Sequence, residues 1–195
     1  MVNRQYYYLI SLLPTLVFGN KSPISFETFM QYCETHLNPK DNEILHKITT
    51  NGNNHAVYNR FYDEWNLWDH EFKKELGHAR AARISPGGEN PSFQPRTDKQ
   101  TQEMIHQILS AKNPLETEMI LARIRWKHID EMEFGYYFDF EKIVAYALKL
   151  KIMARIESFE PVKGGIKFKE TLDAILLRTA PETSAGFVEK ASENG

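Results

Sequence analysis

One cysteine, Cys33, stands in 195 residues. A single thiol closes no intramolecular disulfide and builds no cysteine-based metal site, and it suits a reducing compartment, so the sequence predicts a cytoplasmic protein. Charge of one sign is missing as well: 24 basic side chains face 26 acidic ones, for a formal net charge of −2. That balance gives no field able to hold a polyanion, and nucleic acid would need a local basic patch. Arg80, Arg83, Arg123, Arg125 and Lys127 do not form one, because Glu71, Glu75, Glu116, Glu118, Asp130 and Glu131 stand among them. Long hydrophobic runs are also lacking. The most apolar stretch, Tyr6 to Phe18, is interrupted by Pro14, has no small-residue cleavage site after it and is too short to cross a bilayer. The expectation is neither a transmembrane helix nor a secretory signal, with any membrane location reached through protein partners at the inner face.

The usual catalytic templates are missing too. Gly87-Gly88 and Gly164-Gly165 are not followed by the Lys-Ser/Thr pair of a phosphate loop, and no serine sits in a nucleophile elbow. Cys33 has His36 one helical turn on, which could make a nucleophile and base, but a lone buried thiol is the commoner outcome. No cofactor is implied.

What the chain does have is helical periodicity and aromatic residues, the latter at 12%. Ser25, Asn38 before Pro39, Asn113 before Pro114, and Asp139 read as helix caps. Val57, Phe61, Trp65, Trp68, Phe72, Leu76 and Ala79 recur at steps of three and four, the stripe of a long amphipathic helix over about residues 55–84 that should form the backbone of the molecule. The fold class expected is mainly α, a bundle of about seven helices. Residues 6–13 are apolar without clean periodicity, which leaves helix or short strand open there. The organisation expected is a helical subdomain over 1–84, a Pro/Gly linker over 85–97, a second helical subdomain over 98–178, and a flexible tail over 179–195. Much of the aromatic content follows core stripes. Trp68, Trp126 and the tyrosines exceed what a small helical core needs, and Trp68, Tyr136 and Tyr137 become candidate partner contacts.

One metal-binding pattern stands out. Glu43 with His46, Glu75 with His78, and Glu103 with His106 repeat a Glu-x-x-His spacing that puts both side chains on one helical face, the arrangement from which di-iron sites are built in helical bundles. With 7 His and 19 Glu in the chain, roughly 0.7 such pairs arise by chance. Set against the stripe of the long helix, however, Glu75 and His78 turn toward the flank, away from the bundle interior where a di-metal site needs its ligands. A metal-dependent helical-bundle enzyme is therefore the alternative reading, and a helical interaction domain for an unrelated partner a further one.

Three stretches carry a resemblance: Tyr6-Tyr7-Tyr8-Leu9-Ile10-Ser11-Leu12-Leu13-Pro14; Phe61-Tyr62-Asp63-Glu64-Trp65 leading into a helix that ends Arg80-Ala81-Ala82-Arg83; and Tyr146-Ala147-Leu148-Lys149-Leu150 with Arg155. Together they resemble a bacterial family of uncharacterised proteins encoded alongside V-type ATPases. That family is similar in turn to the central-stalk C subunit of V/A-type ATPases, the helical funnel that sits on the proteolipid ring and receives the rotor axle. The chain is shorter than that funnel, which has three similar helical segments, so the resemblance implies a reduced version. It also implies a non-catalytic accessory or central-stalk component that couples axle to ring in proton or sodium transport, with rotor or proteolipid-ring subunits as partners. Tyr6, Tyr7, Tyr8, Arg80 and Arg83 would then be contacts. Transmitting torque asks for stiff helices, a close-packed core and broad surfaces, and for no reactive group.

Overall fold

A computed structural model of the chain describes residues 6–50, 59–84, 99–159 and 171–172. The described part is mainly helical, with seven helices and no strand. Residues Met1–Ser158 form one compact unit and Phe159–Gly195 a second. In the second unit, Thr171 and Leu172 are helical.

The open choice at the N-terminus resolves as helix. α1 runs Tyr7–Leu12, and Leu13 leaves the helix with an extended backbone because the ring of Pro14 crowds the residue before it. α2 (Phe26–His36) starts where Ser25 accepts the Thr28 N–H at 3.0 Å. α3 (Pro39–Thr50) starts where Asn38 accepts the Asp41 N–H at 3.0 Å. Each cap satisfies an amide that the first turn leaves without a helical partner. The long helix, α4, runs Arg60–Ile84. It begins later than its periodicity suggests, because Asn59 Oδ1 takes the Tyr62 N–H at 2.9 Å and caps it there; residues 55–58 lie outside the described part. At about 1.5 Å per residue, α4 is about 37 Å long. α5 (Lys99–Leu109) and α6 (Pro114–Met132) follow, the latter capped by Asn113 through the Glu116 N–H at 2.8 Å. α7 (Phe140–Glu157) closes the series. The linker expected at 85–97 and the tail expected at 179–195 lie outside the described residues.

The hub of the compact unit is α7, whereas the stripe on α4 had suggested that helix. Phe140, Ile143, Val144, Ala145, Ala147, Leu148, Lys149, Leu150 and Met153 are all buried. A helix apolar on nearly every side can be satisfied only in the interior, and α7 packs against α2, α3, α4 and α6. Around it lies one core containing Leu9, Phe29, Leu45, Ile48, Phe61 and Ile129. A second core joins Phe72 and Leu76 of α4 to Ile105 and Ile108 of α5 and to Leu121 and Ile124 of α6. Fully burying one such side chain contributes about 1.5–3 kcal/mol. Trp68 packs against both cores, so α4 acts as a strut between them. Arg125 on α6 donates to Asp69 on α4 at 2.8 Å alongside it. Among the described residues no helix is long and apolar enough to cross a membrane.

Candidate protein-docking surface

The N-terminal helix and the α6–α7 loop are far apart in sequence and meet in space. The Tyr6 N–H donates to the Phe138 carbonyl at 2.6 Å. The Tyr6 hydroxyl donates to Asp41 Oδ2 at 2.5 Å and accepts from the Asn38 side-chain amide. Burial, then the hydrogen bond and negative charge of Asp41, push its phenol up to about 12, so it stays a neutral donor. Tyr6 thereby ties α1 to the capped start of α3. It anchors the surface, while its neighbours face outward.

Tyr7 and Tyr8 are 51% and 64% exposed. The Tyr7 ring lies 4.3 Å from that of Phe138, and Tyr8 meets His36 edge-on at 4.9 Å. Tyr32 lies one turn before His36 on α2 and is also exposed. On the other side, Phe134, Tyr137 and Phe138 are 84%, 63% and 39% exposed. Ring contacts thus link the loop to α1 and α1 to α2, with exposed aromatics on all three. Scattered exposed apolar residues are ordinary, but contiguous aromatic ones mark interaction sites. Tyr136 is different: it is half-buried and sits edge-on to Phe61 at 5.9 Å, fastening the loop to the core.

The loop is held from beneath by charge. Lys149, on the buried hub helix and only 8% exposed, reaches Glu133 Oε1 at 2.7 Å and also pairs with Asp130. Lys142 reaches the same Glu133 oxygen at 3.3 Å, and the Lys149 amine lies 5.4 Å from the Trp126 ring. Glu133 ends α6, so two lysines of α7 fix the point from which the loop departs. Gly135 then turns the chain at φ +94°, a conformation that a side chain disfavours. Asp139, expected as the cap of α7, makes no side-chain cap.

The other residues singled out from sequence are engaged elsewhere. Trp68 is half-buried, stacked on His128 at 3.8 Å and on Phe72 at 5.3 Å. Burial holds the His128 imidazole below its usual pKa, opposed by Glu131, Glu64 and Asp69. Arg83 donates to the Leu109 carbonyl at 2.5 Å, capping the end of α5, and Arg80 is exposed on α4. The three Glu-x-x-His pairs lie on three helices. Glu43 binds Lys47 at 2.6 Å, which lowers its carboxyl pKa, and His46 lies 3.3 Å from Glu34. His78 is exposed and Glu75 half-buried on α4; Glu103 and His106 are exposed on α5, where Glu103 helps line a shallow groove of about 210 Å³ with Arg123 and Lys127. Among the described residues, no three His, Cys, Asp or Glu side chains converge on a point that could hold a metal. Cys33 is fully buried, and burial followed by the charge of Glu34 pushes its thiol up to about 12, which leaves no thiolate to pair with His36.

Phe134, Phe138 and Tyr32 were not singled out from sequence. Four aromatics within Phe134-Gly135-Tyr136-Tyr137-Phe138, outside any helical period, were a signal for the first two; only the fold brings Tyr32 to them. Lys149 lies among apolar residues in the sequence, and its role appears only with Glu133 opposite.

The fold and this surface define an all-α protein with an exposed aromatic face on a rigid helical core. A family model described as "Protein of unknown function (DUF2764)" matches residues 100–178, less than half of the chain, covering α5, α6 and α7. No curated protein and no solved structure matches the chain.

Proposed function

We propose that the chain is a non-catalytic accessory or central-stalk component of a bacterial V/A-type ATPase, resembling the funnel-shaped C subunit, that docks rotor or proteolipid-ring subunits. The observation that carries this reading is the contact of exposed Tyr7 with exposed Phe138, which joins α1 to an α6–α7 loop that also exposes Phe134 and Tyr137. The stretches that carry the resemblance also include much of what holds the helices together. Tyr6 anchors α1, and the Tyr146 hydroxyl donates to the Pro14 carbonyl at 3.0 Å. Lys149 holds the end of α6, and Arg155 pairs with Glu118 at 2.9 Å. A part that passes on force needs such cross-ties more than it needs reactive groups. Affinity purification of the tagged chain from its native host should co-isolate ATPase rotor or ring subunits. Recovery of the chain without them, from membranes that contain the assembled ATPase, would overturn the assignment.

A further inference from the structure

The segments that build the aromatic face carry charge of one sign. Tyr6–Leu12, Tyr32–His36 and Phe134–Glu141 contain no lysine or arginine, while Glu34, Asp139 and Glu141 fall within them. Glu34 is occupied by His46, leaving the two carboxylates that flank Phe140 at the loop end. The two lysines of α7 beneath that loop are already paired: buried Lys149 and partly exposed Lys142 both hold Glu133. An aromatic ring attracts a cation to its face through its quadrupole, arginine most often, and a neighbouring carboxylate adds to that attraction. Aromatic faces with only acidic charge among them therefore complement one chemistry better than others.

We infer that this face binds an arginine-bearing amphipathic segment of a protein partner, whose guanidinium groups lie over Tyr7, Tyr8 and Tyr137 and whose apolar side chains cover Phe134 and Phe138. The inference deepens the docking role proposed above and rests on it, but not on the partner being an ATPase. Asp139 is the carboxylate the inference assigns to it: its side chain does not cap α7, and it follows Phe138 in the chain.

The test uses the full chain and a fluorescent amphipathic peptide bearing arginines and leucines on one face, with a second peptide in which citrulline replaces each arginine. Anisotropy titration should show the arginine peptide binding and the citrulline peptide binding clearly less. Tyr137→Ser and Tyr7→Ser should each weaken the arginine peptide about two- to fivefold, the range of an exposed cation–π contact. Asp139→Asn should weaken it further as salt is lowered, where screening is least. Leu115→Ser, at the opposite end of α6, should leave binding unchanged. Equal binding of the two peptides would overturn the inference, as would insensitivity to Tyr7 and Tyr137. Tighter binding to phosphatidylcholine vesicles, or self-association of the chain abolished by Tyr137→Ser, would assign the face to lipid or to a second copy instead. If the peptide binds as described while ATPase subunits fail to co-purify, the arginine-binding face stands and the ATPase assignment falls. If subunits co-purify while the peptide fails, the reverse holds.

Discussion

Two side chains show how single residues carry this molecule. Lys149 is buried with its amine on Glu133 and Asp130, and removing one partner of such a cluster leaves charge without compensation. Asp130 is about half-exposed, which lets water screen part of the loss. Lys149→Ala should therefore cost about 1–3 kcal/mol in urea denaturation, below the ~3–5 kcal/mol of a fully buried pair. Lys149→Met, which keeps the packed stem, should cost less than Lys149→Ala; equal stability of all three would show the cluster to be inert. His128 gives a pH effect with a defined sign. Its imidazole is held below its usual pKa by burial, so in the window between the folded value and about 6.5 the unfolded chain binds the proton and the folded chain does not. Its contribution is complete above about pH 6.5 and is lost as pH falls toward the folded value. Denaturation at about pH 7.5 and 5.5 should show lower stability in acid, and His128→Phe, which keeps the stack on Trp68, should reduce that difference. Neither residue was legible from sequence. Lysine in an apolar helix and histidine between Lys127 and Ile129 both read as surface until the facing helix is known.

At the scale of the helices, sequence says most where chemistry is local. Ser25, Asn38 and Asn113 cap helices as their neighbours predict, because a cap needs only its own next three amides. Asp139 departs from that pattern: the helix it precedes begins without its side chain, in a loop whose path is fixed by Glu133 and Tyr6. The stripe on α4 was readable, but length was a poor guide to position. α7 takes the centre because it is apolar on nearly every side, whereas α4 keeps charged residues such as Asp63, Glu64, Lys73 and Lys74 exposed. Two glycines separate the effects of conformation and propensity. Gly135 has φ +94°, and Gly135→Ala should destabilise by about 1–2 kcal/mol although a Cβ there meets nothing within 4 Å. Gly77 lies inside α4 with equally open space around it, and Gly77→Ala should stabilise by about 0.5–1 kcal/mol. Thermal unfolding should move in opposite directions for the two, by about 2–4 °C per kcal/mol. Shifts of the same sign would contradict the backbone account.

Over the whole molecule, the first compact unit is two apolar cores joined by α4 and α6. Trp68 spans them, and Asp69 ties Arg125 and Lys73 beside it at 2.8 and 2.6 Å. Such a body suits a part that holds a surface in place. The surface itself was half-legible: Tyr137 was singled out by aromatic surplus and Tyr7 and Tyr8 by the resemblance, but the meeting of α1 with the α6–α7 loop depends on a hydrogen bond between residues 6 and 138, which no local pattern encodes. Trp68, singled out by the same surplus, packs against both cores, and Arg83, which the resemblance implied as a contact, caps α5, because composition does not distinguish an aromatic or a cation turned inward from one turned out. The proposed docking of this surface onto a V/A-type ATPase is tested most directly by quantitative affinity isolation from the native host. Tagged wild type and a Tyr7→Ser/Tyr137→Ser variant are compared by the amount of rotor and ring subunits recovered with each. These subunits should come down with the wild type and be strongly depleted with the variant, at equal recovery of folded chain. Recovery of the wild type without ATPase subunits, or equal recovery with both, would contradict the proposed docking.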